Sequence, residues 1–474
     1  MNHVRIGPFL TAVGCLAACA LLADWPQFRG PASSGTANGG FPTHFGPGTN
    51  EAWSVTIAAG NSSPVISGDR IFLTAWDGTA LRIVSLSTID GHELWNRALP
   101  PGTIERGARL GNPATATPAT DGDRVVAYFG AFGLACFTVN GEELWRHPLP
   151  VPVTQHGAGT SPILAGDLVL LNCDQDVGSY LLAVDKRTGK QLWRRDRPHA
   201  LRGFSTPLAW PPAKPTQVVV AGTLRLDAYS LADGSPAWHV NGLPNEMVSS
   251  PIPGDGVIHV AGWTAGSGVG RMPAWDGILS EGDRDHDGEL TQSEAPGGPA
   301  RQHFAYLDAD KNGRLSKSEY TAAAHAFDAS RNVALAVRPE GIGDLTASAI
   351  VLSHGRGLPY CPTPLLLDGR LHLLRNGGLL TCLDAKSGKV LYQEERIGAL
   401  GDNYASPVGS DGRFCVFSQG GVGVVIRSAD HLEILARNEL GESVVATPAL
   451  DQGHLYVRSA NRLWKFGDRP ARQR

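Results

Sequence analysis

Residues 283–294, DRDHDGELTQSE, place oxygen-bearing side chains at alternate positions around a glycine. A calcium loop of the EF-hand type has twelve residues, with ligands at positions 1, 3, 5, 7, 9 and 12. Position 7 contributes its backbone carbonyl, position 9 often acts through water, and Gly at position 6 allows the sharp turn. The residues at these six ligand positions are, in order, Asp283, Asp285, Asp287, Glu289, Thr291 and Glu294.

A second stretch, DADKNGRLSKSE at 308–319, repeats the same spacing. Leu290 and Leu315 fall at position 8 of the two loops, where paired calcium loops usually join through a short β-bridge. The second set of ligand positions holds Asp308, Asp310, Asn312, Arg314 (through its carbonyl), Ser316 and Glu319. Two full matches predict a pair of loops that binds two calcium ions.

The composition favours short strands and many turns around these loops. The chain has 474 residues with 58 Gly, 33 Pro, 42% hydrophobic residues and 18% charged residues. This balance is typical of a large β-rich core rather than of long helices. A formal net charge of −4 provides no basic surface for nucleic acid or anionic lipid.

The first 23 residues are predicted to be a targeting segment and not part of the fold. A short basic start, MNHVR, precedes the apolar run IGPFLTAVGCLAACALLA, which suits a secretory signal better than a membrane span. LAAC at 16–19 also resembles a lipoprotein cleavage box, which would leave Cys19 lipid-modified. Either alternative predicts a periplasmic or extracellular protein. The five remaining cysteines are widely spaced and predict neither a zinc site nor a disulfide scaffold.

Two short motifs alternate along the rest of the chain. Ser-Pro or Thr-Pro occurs eight times before a turn and a strand, from SSPVISGDRIFLTA (62–75) to ATPALDQGHLYVRS (446–459). Between these marks lie strand–turn–strand segments with Gly at the seventh place and a terminal Trp or Tyr, such as ACFTVNGEELW at 135–145. Two hairpins in each unit make four strands, the content of one propeller blade. The terminal aromatic is expected to fill the space between neighbouring blades.

The clearest copy, AVDKRTGKQLW at 183–193, fits A-x-D-x-x-T-G-x-x-x-W in full. This motif resembles the repeat of the quinoprotein-like (PQQ-like) β-propellers. DWPQFRGP at 24–31 also resembles the opening of secreted bacterial members of that family. The predicted fold class is therefore all-β, an eight-bladed β-propeller of four-stranded blades. EAWSVTI at 51–57 is expected to supply the last strand of the eighth blade and to close the ring.

The spacing of the repeats places the two calcium loops inside the propeller. More residues separate Trp238 from Tyr392 than two blades require, so a small α-helical EF-hand pair is predicted within the fifth blade. The predicted organisation is a signal peptide at 1–23, a first propeller part at 24–271, the EF-hand pair at 272–331, a second propeller part at 332–467 and a C-terminal tail at 468–474.

The resemblance leaves two classes of function to compare. Quinoprotein alcohol dehydrogenases carry a vicinal Cys-Cys disulfide, whereas the closest mature cysteines here are Cys361 and Cys382. His156, His259 and His354 are interpreted as structural residues, so no catalytic residue is predicted and bound PQQ is not expected. The resemblance to the propellers of outer-membrane protein assembly implies a monomeric scaffold that binds envelope or secreted proteins or peptides. The alternative is a PQQ-dependent or other periplasmic oxidoreductase that uses the propeller funnel.

Overall fold

The computed structural model describes residues 25–104, 111–154, 156–265 and 272–467. The predicted signal segment with Cys19 and the predicted tail 468–474 lie outside these ranges. Eight antiparallel sheets follow one another along the chain and form the blades of a propeller. The predicted eight-bladed ring is confirmed. Among the described residues, no helix is both long and apolar enough to cross a membrane.

The first four blades each contain four consecutive strands. Blade 1 has Val65–Ser67, Arg70–Trp76, Leu81–Ser87 and Glu93–Leu99. Blade 2 has Ala119–Thr120, Arg124–Phe129, Gly133–Thr138 and Glu143–Pro148. Blade 3 has Ile163–Ala165, Leu168–Cys173, Tyr180–Asp185 and Gln191–Asp196. Blade 4 has Leu208–Trp210, Gln217–Gly222, Arg225–Ser230 and Pro236–Asn241, and Gly343–Asp344 pairs with its outer edge.

The last four blades include one interrupted blade and one blade built from both ends of the chain. Blade 5 has Ile252–Pro253, Ile258–Gly262, Val333–Val337 and Ile350–His354. Blade 6 has Leu365–Leu367, Arg370–Arg375, Leu379–Asp384 and Val390–Arg396. Blade 7 has Val408–Ser410, Arg413–Phe417, Val422–Arg427 and Ile434–Glu439. Blade 8 has Ala449–Asp451, His454–Arg458, Arg462–Phe466 and, as predicted, the early strand Glu51–Thr56.

The apolar core lies between neighbouring blades. One cluster joins Phe72 and Trp95 of blade 1 to Val125 and Phe137 of blade 2. The terminal Trp residues of three motifs, Trp95, Trp145 and Trp193, pack on the motif glycine of the next blade. A Cβ atom at Gly189 would lie 2.5 Å from the ring of Trp145, so only glycine leaves room for the indole there. These three Trp residues therefore pack between neighbouring blades, as expected, and each covers the turn that contains the motif glycine of the next blade.

The two-loop segment leaves blade 5 after Ile258–Gly262 and returns at Val333–Val337. Its helices are Trp275–Gly282, Pro299–Gln302, Phe304–Leu307 and Lys317–Ala329. Leu290 pairs with Leu315 in a short antiparallel ladder, as predicted. Both leucines are fully buried in a separate small core with Trp275 and Tyr320. The boundaries 272–331 stay a prediction.

Candidate functional site

The two acidic loops adopt the same backbone geometry. The amide of Gly288 donates to Asp283 Oδ2 at 3.1 Å, and the amide of Gly313 donates to Asp308 Oδ2 at 3.0 Å. Position 4 has a positive φ in both loops, 58° at His286 and 62° at Lys311. The shared turn directs the side chains at positions 1, 3 and 5 inward in each loop.

Each loop brings three carboxylates together. In the first loop, oxygens of Asp283, Asp285 and Asp287 all lie within 4.8 Å of one another. In the second loop, oxygens of Asp308, Asp310 and Glu319 satisfy the same limit. These six residues belong to the predicted ligand sets.

The other predicted ligands occupy matched places around these clusters. Glu294 Oε2 accepts hydrogen bonds from the amide and hydroxyl of Thr291 at 2.9 and 2.7 Å. Glu319 Oε2 makes the same two bonds with Ser316 at 2.9 and 2.6 Å. The remaining predicted ligands are Asn312, whose Oδ1 accepts from the amide of Arg314 at 2.7 Å, and the carbonyls of Glu289 and Arg314. The ligand roles stay predictions.

A cation would satisfy atoms that the described part of the chain leaves without partners. Asp283 Oδ1 and Asp308 Oδ1 are both buried and have no hydrogen-bond partner among the described residues. Asp308 as a whole is only 5% exposed. Burial raises the pKa of Asp308, and the nearby Glu319 carboxylate acts in the same direction. A hard divalent cation that prefers oxygen ligands fits both clusters.

The loops differ in one charged contact. The guanidinium of Arg314, from the second loop, contacts the carboxylate of Asp287 in the first. The same guanidinium lies 3.7 Å from Glu289. The positive charge of Arg314 therefore lies beside the first cluster, where the guanidinium would compete with a metal ion for Asp287.

A central cavity is the second candidate site. It has a volume of about 490 Å³ and is lined by the residue before Pro in all eight Ser/Thr-Pro motifs. These residues are Ser63, Thr117, Ser161, Thr206, Ser250, Thr363, Ser406 and Thr447. The eight Ser/Thr-Pro motifs are visible in the sequence, where we interpreted them only as marks of the blade repeat. The sequence did not show that their hydroxyl-bearing residues line one cavity.

The eight hydroxyl-bearing residues also join the blades. At seven of the eight blade junctions, the backbone amide of one residue donates to the hydroxyl oxygen of the next, at 2.9 to 3.2 Å. At the eighth junction, buried Arg458 of blade 8 donates to the carbonyl and hydroxyl of Ser62 at 3.2 and 2.6 Å. The ring around the cavity is therefore held by polar contacts at every junction.

The early segment that follows the predicted signal covers one end of this cavity. Phe28 lines the cavity, and the fully buried Arg29 beside it donates to the carbonyls of Pro364 and Pro407 at 2.7 and 2.9 Å. The segment pairs with blade 1 through Trp25 and with blade 7 near Thr36. It thus spans the ring and closes its base.

The opposite end is walled by the loops that connect successive blades. Phe204, Tyr360 and Tyr404 supply aromatic surface, and Asp402 supplies a carboxylate. Burial lowers the pKa of His156, with the Arg202 guanidinium acting in the same direction. Burial raises the pKa of the Cys361 thiol to about 12. Burial therefore favours the neutral form of both groups.

Comparison with known proteins identifies the repeat. Residues 48–152 and 82–252 match the family model described as outer membrane protein assembly factor BamB. The motif copies at 135–145 and 183–193 fall within these ranges. This part of the chain is therefore similar to the PQQ-like repeat of that family, and the described residues have the fold of a PQQ-like propeller.

One curated relative of this chain is outer membrane protein assembly factor BamB of Yersinia pestis. The two chains are 23% identical over 284 residues, which cover 59% of this chain and 66% of the relative. The aligned region therefore spans slightly less than two thirds of the relative's length.

Solved structures share the fold at low sequence identity. BamB from Moraxella catarrhalis has a TM-score of 0.54 at 11% identity, covering 89% of this chain and 99% of that one. A europium-containing methanol dehydrogenase has a TM-score of 0.58 at 9% identity, covering 94% and 98%. Quinohemoprotein alcohol dehydrogenase from Comamonas testosteroni has a TM-score of 0.53 at 13% identity, covering 97% and 83%. These values establish a common fold and leave the activity open.

Proposed function

We propose that this PQQ-like propeller is a calcium-binding scaffold that holds an extended peptide or protein segment on the face where the inter-blade loops surround the cavity. The place of action would be the periplasm or the cell exterior, as predicted from residues 1–23. The BamB relative, named as an outer membrane protein assembly factor, supports an envelope protein as partner.

The proposal is supported by the position of the two-loop segment, which lies on the same face of the propeller as the cavity wall. In a four-stranded antiparallel blade, the loop between strands 2 and 3 lies at the same end as the loop to the next blade. The two-loop segment is the 2–3 loop of blade 5, so it stands on the face that bears the cavity wall. Exposed apolar side chains on this face include Leu400, 66% exposed, and Trp263, 39% exposed. Aromatic and aliphatic side chains around a cavity are suited to apolar residues of an extended segment.

Calcium binding is tested by calorimetric titration of the metal-free mature chain. We expect two bound ions, and we expect the double variant Glu294→Gln, Glu319→Gln to lose most of the heat, because bidentate carboxylates are replaced by amides. Extracellular modules of this kind have dissociation constants of about 10⁻⁴–10⁻³ M, so the titration must reach millimolar calcium. Absence of binding at that concentration would remove calcium from the proposal.

Segment binding is tested with synthetic peptides that copy strands of outer-membrane proteins. We expect Leu400→Asp to weaken peptide binding about tenfold, because a carboxylate would replace an exposed apolar contact of the loop that also carries Asp402 and Tyr404. Ile89→Asp is the matched control, since Ile89 is 61% exposed on a turn at the opposite end of blade 1. Equal losses in both variants would contradict use of the cavity face.

A quinone-dependent oxidoreductase is the competing class. It shares the fold of the methanol and alcohol dehydrogenases, and the cavity provides space for a small ligand. Among the described residues that line the cavity, no specific contact favours that class over peptide binding. Titration with free PQQ, followed by absorbance, decides between them, because a saturable spectral change would support the enzyme.

A further inference from the structure

The second acidic loop lies against the wall of the central cavity. A cleft of about 240 Å³ separates Leu307 and Glu319 of the two-loop segment from Asp176 and Leu201 of the propeller. Asp176 belongs to the 2–3 loop of blade 3, and Leu201 belongs to the connection between blades 3 and 4. The insertion in blade 5 therefore reaches back over two preceding blades.

Lys311 bridges the two sides of this cleft. Its Nζ donates to the carbonyl of Asp308 at 2.7 Å, so the ammonium is held by the first residue of the second loop. The same Nζ lies 3.7 Å from Asp176 Oδ2. Lys311 occupies position 4 of the loop, where the backbone has a positive φ of 62°.

A chain of charged contacts continues from Asp176 into the cavity wall. Arg202 Nε donates to Asp176 Oδ1 at 2.6 Å, and Arg202 Nη1 lies 3.9 Å from Glu246 Oε2. Tyr360, whose ring lines the cavity, donates its hydroxyl to Glu246 Oε1 at 3.3 Å. The Asp176 amide also donates to the carbonyl of Val153 at 2.8 Å. Four loops of the cavity wall are thus linked to Asp176, three through its carboxylate and Arg202 and one through its backbone amide.

We propose that a cation in the second loop sets the conformation of the cavity wall through the Lys311–Asp176 ion pair. The inference rests on the proposed calcium binding and adds a regulatory link to the proposed binding face. A cation held by Asp308, Asp310 and Glu319 fixes the loop backbone and, with it, the carbonyl that positions Lys311. Without the cation, the loop loosens and Lys311 leaves Asp176.

Asp176 and Arg202 are buried, so loss of the Lys311 contact is expected to change how they pack in the cavity wall. Asp176 and Arg202 are 7% and 2% exposed, and Asp176 Oδ2 has no hydrogen-bond partner among the described residues. If Lys311 leaves, Arg202 remains the ion partner of the buried Asp176 carboxylate, and the two side chains readjust together to the lost charge. Glu246 and Tyr360 follow, because their contacts run through Arg202. Coupling of this kind commonly changes an affinity or an opening equilibrium by a factor of about 5 to 150.

The test is hydrogen exchange of the full mature chain with and without millimolar calcium, using calcium alone as the probe. We expect calcium to slow exchange at least about fivefold in the wall segments 156–161 and 360–363. We expect Lys311→Met to bind calcium in the second loop and to lose this slowing. Lys317→Met is the matched control, because Lys317 belongs to the same segment but pairs with exposed Asp276 at 3.1 Å.

A second variant, on the propeller side of the ion pair, tests the same coupling if Lys311→Met disturbs the calcium loop. Asp176→Asn removes the charge from the propeller side and should also abolish the slowing while leaving the calcium heat in place. If calcium binds and the wall segments exchange equally with and without it, the coupling is overturned and the proposed calcium site stands. Persistence of the slowing in Lys311→Met would also overturn it. If no calcium binds, both the site and the coupling fail.

Discussion

Individual carboxylates and cations decide how the two acidic loops differ. The first cluster is faced by the Arg314 guanidinium, which contacts Asp287 and lies 3.7 Å from Glu289. In the second cluster, Glu319 Oε1 accepts from the amides of Ala309 and Asp310 at 3.0 and 3.2 Å, which holds the carboxylate in the cluster. The second loop is therefore better prepared for a cation, and we expect it to be filled first.

Removing the Arg314 side chain should strengthen calcium binding in the first loop. The Arg314 and Asp287 side chains are 44% and 31% exposed, so water weakens their attraction and the gain should be modest. Exposed ion pairs contribute about 0.2–1 kcal/mol, which corresponds to at most about a fivefold lower Kd. The measurement is a calcium titration of Arg314→Met, which keeps the carbonyl ligand, beside Lys317→Met. An unchanged or higher Kd would contradict competition by the guanidinium.

The Ser/Thr-Pro element explains how separate blades become one ring. Pro follows each hydroxyl-bearing residue, and at seven of the eight junctions the hydroxyl oxygen accepts a hydrogen bond from the amide of the equivalent residue in the preceding blade. In one such contact, the amide of Ser250 donates to Thr363 Oγ1 at 3.0 Å across the interrupted blade 5. Both residues are buried, so the amide has no access to water as an alternative acceptor.

Thr363→Val should lower the free energy of unfolding by about 1–3 kcal/mol, because the buried Ser250 amide would lose its acceptor while the side-chain shape is kept. Urea unfolding followed by fluorescence measures the change. Thr321→Val, at an exposed position of the helix Lys317–Ala329, is the control and should stay within about 0.5 kcal/mol of the parent. A loss at Thr363 no larger than that of the control would argue against the hydroxyl ring as a source of stability.

The whole molecule is closed by contacts between the two ends of the chain. Glu51–Thr56 completes blade 8 by pairing with Arg462–Phe466. Arg29 enters the base of the cavity, where burial lowers the pKa of its guanidinium to about 9. Packing of the blades also buries polar groups such as His259 and His372, which are 1% and 0% exposed.

Acid should destabilise the ring through these buried histidines. Burial lowers the pKa of His372 to about 3, with Arg370 acting in the same direction, and burial lowers that of His259 to about 4. An unfolded histidine has a pKa of about 6.5, so below that pH the unfolded chain binds protons that the folded chain does not. Stability contributed by neutral His372 is therefore present above about pH 6.5 and is lost as the pH falls toward about 3.

We expect the free energy of unfolding to fall by up to about 1.4 kcal/mol per pH unit for each such histidine in this window. His372→Gln should flatten that slope, whereas His431→Gln, at an exposed position, should leave it unchanged. Urea unfolding at several pH values between about 7 and 4 measures both slopes. Identical slopes in the parent and His372→Gln would show that other groups control the acid response.

The sequence by itself determined the features that depend on local spacing. The strand–turn–strand motif and the Ser/Thr-Pro marks predicted eight blades because each blade is one local unit of hairpins. The loop spacing brought carboxylates together for the same reason, since a twelve-residue turn positions its own side chains. The closing strand at 51–57 was also predictable, because blade 8 had only three strands near the C-terminus.

Only the tertiary structure decided which distant residues meet. The amide–hydroxyl contacts of the ring join equivalent residues of neighbouring blades, 41 to 113 positions apart. Arg29 contacts residues 335 and 378 positions away, and these contacts exist only when the ring closes. The contact of Lys311 with Asp176 depends on how the insertion lies over blades 3 and 4. Such contacts follow from the packing of whole elements, and no local spacing in the sequence encodes them.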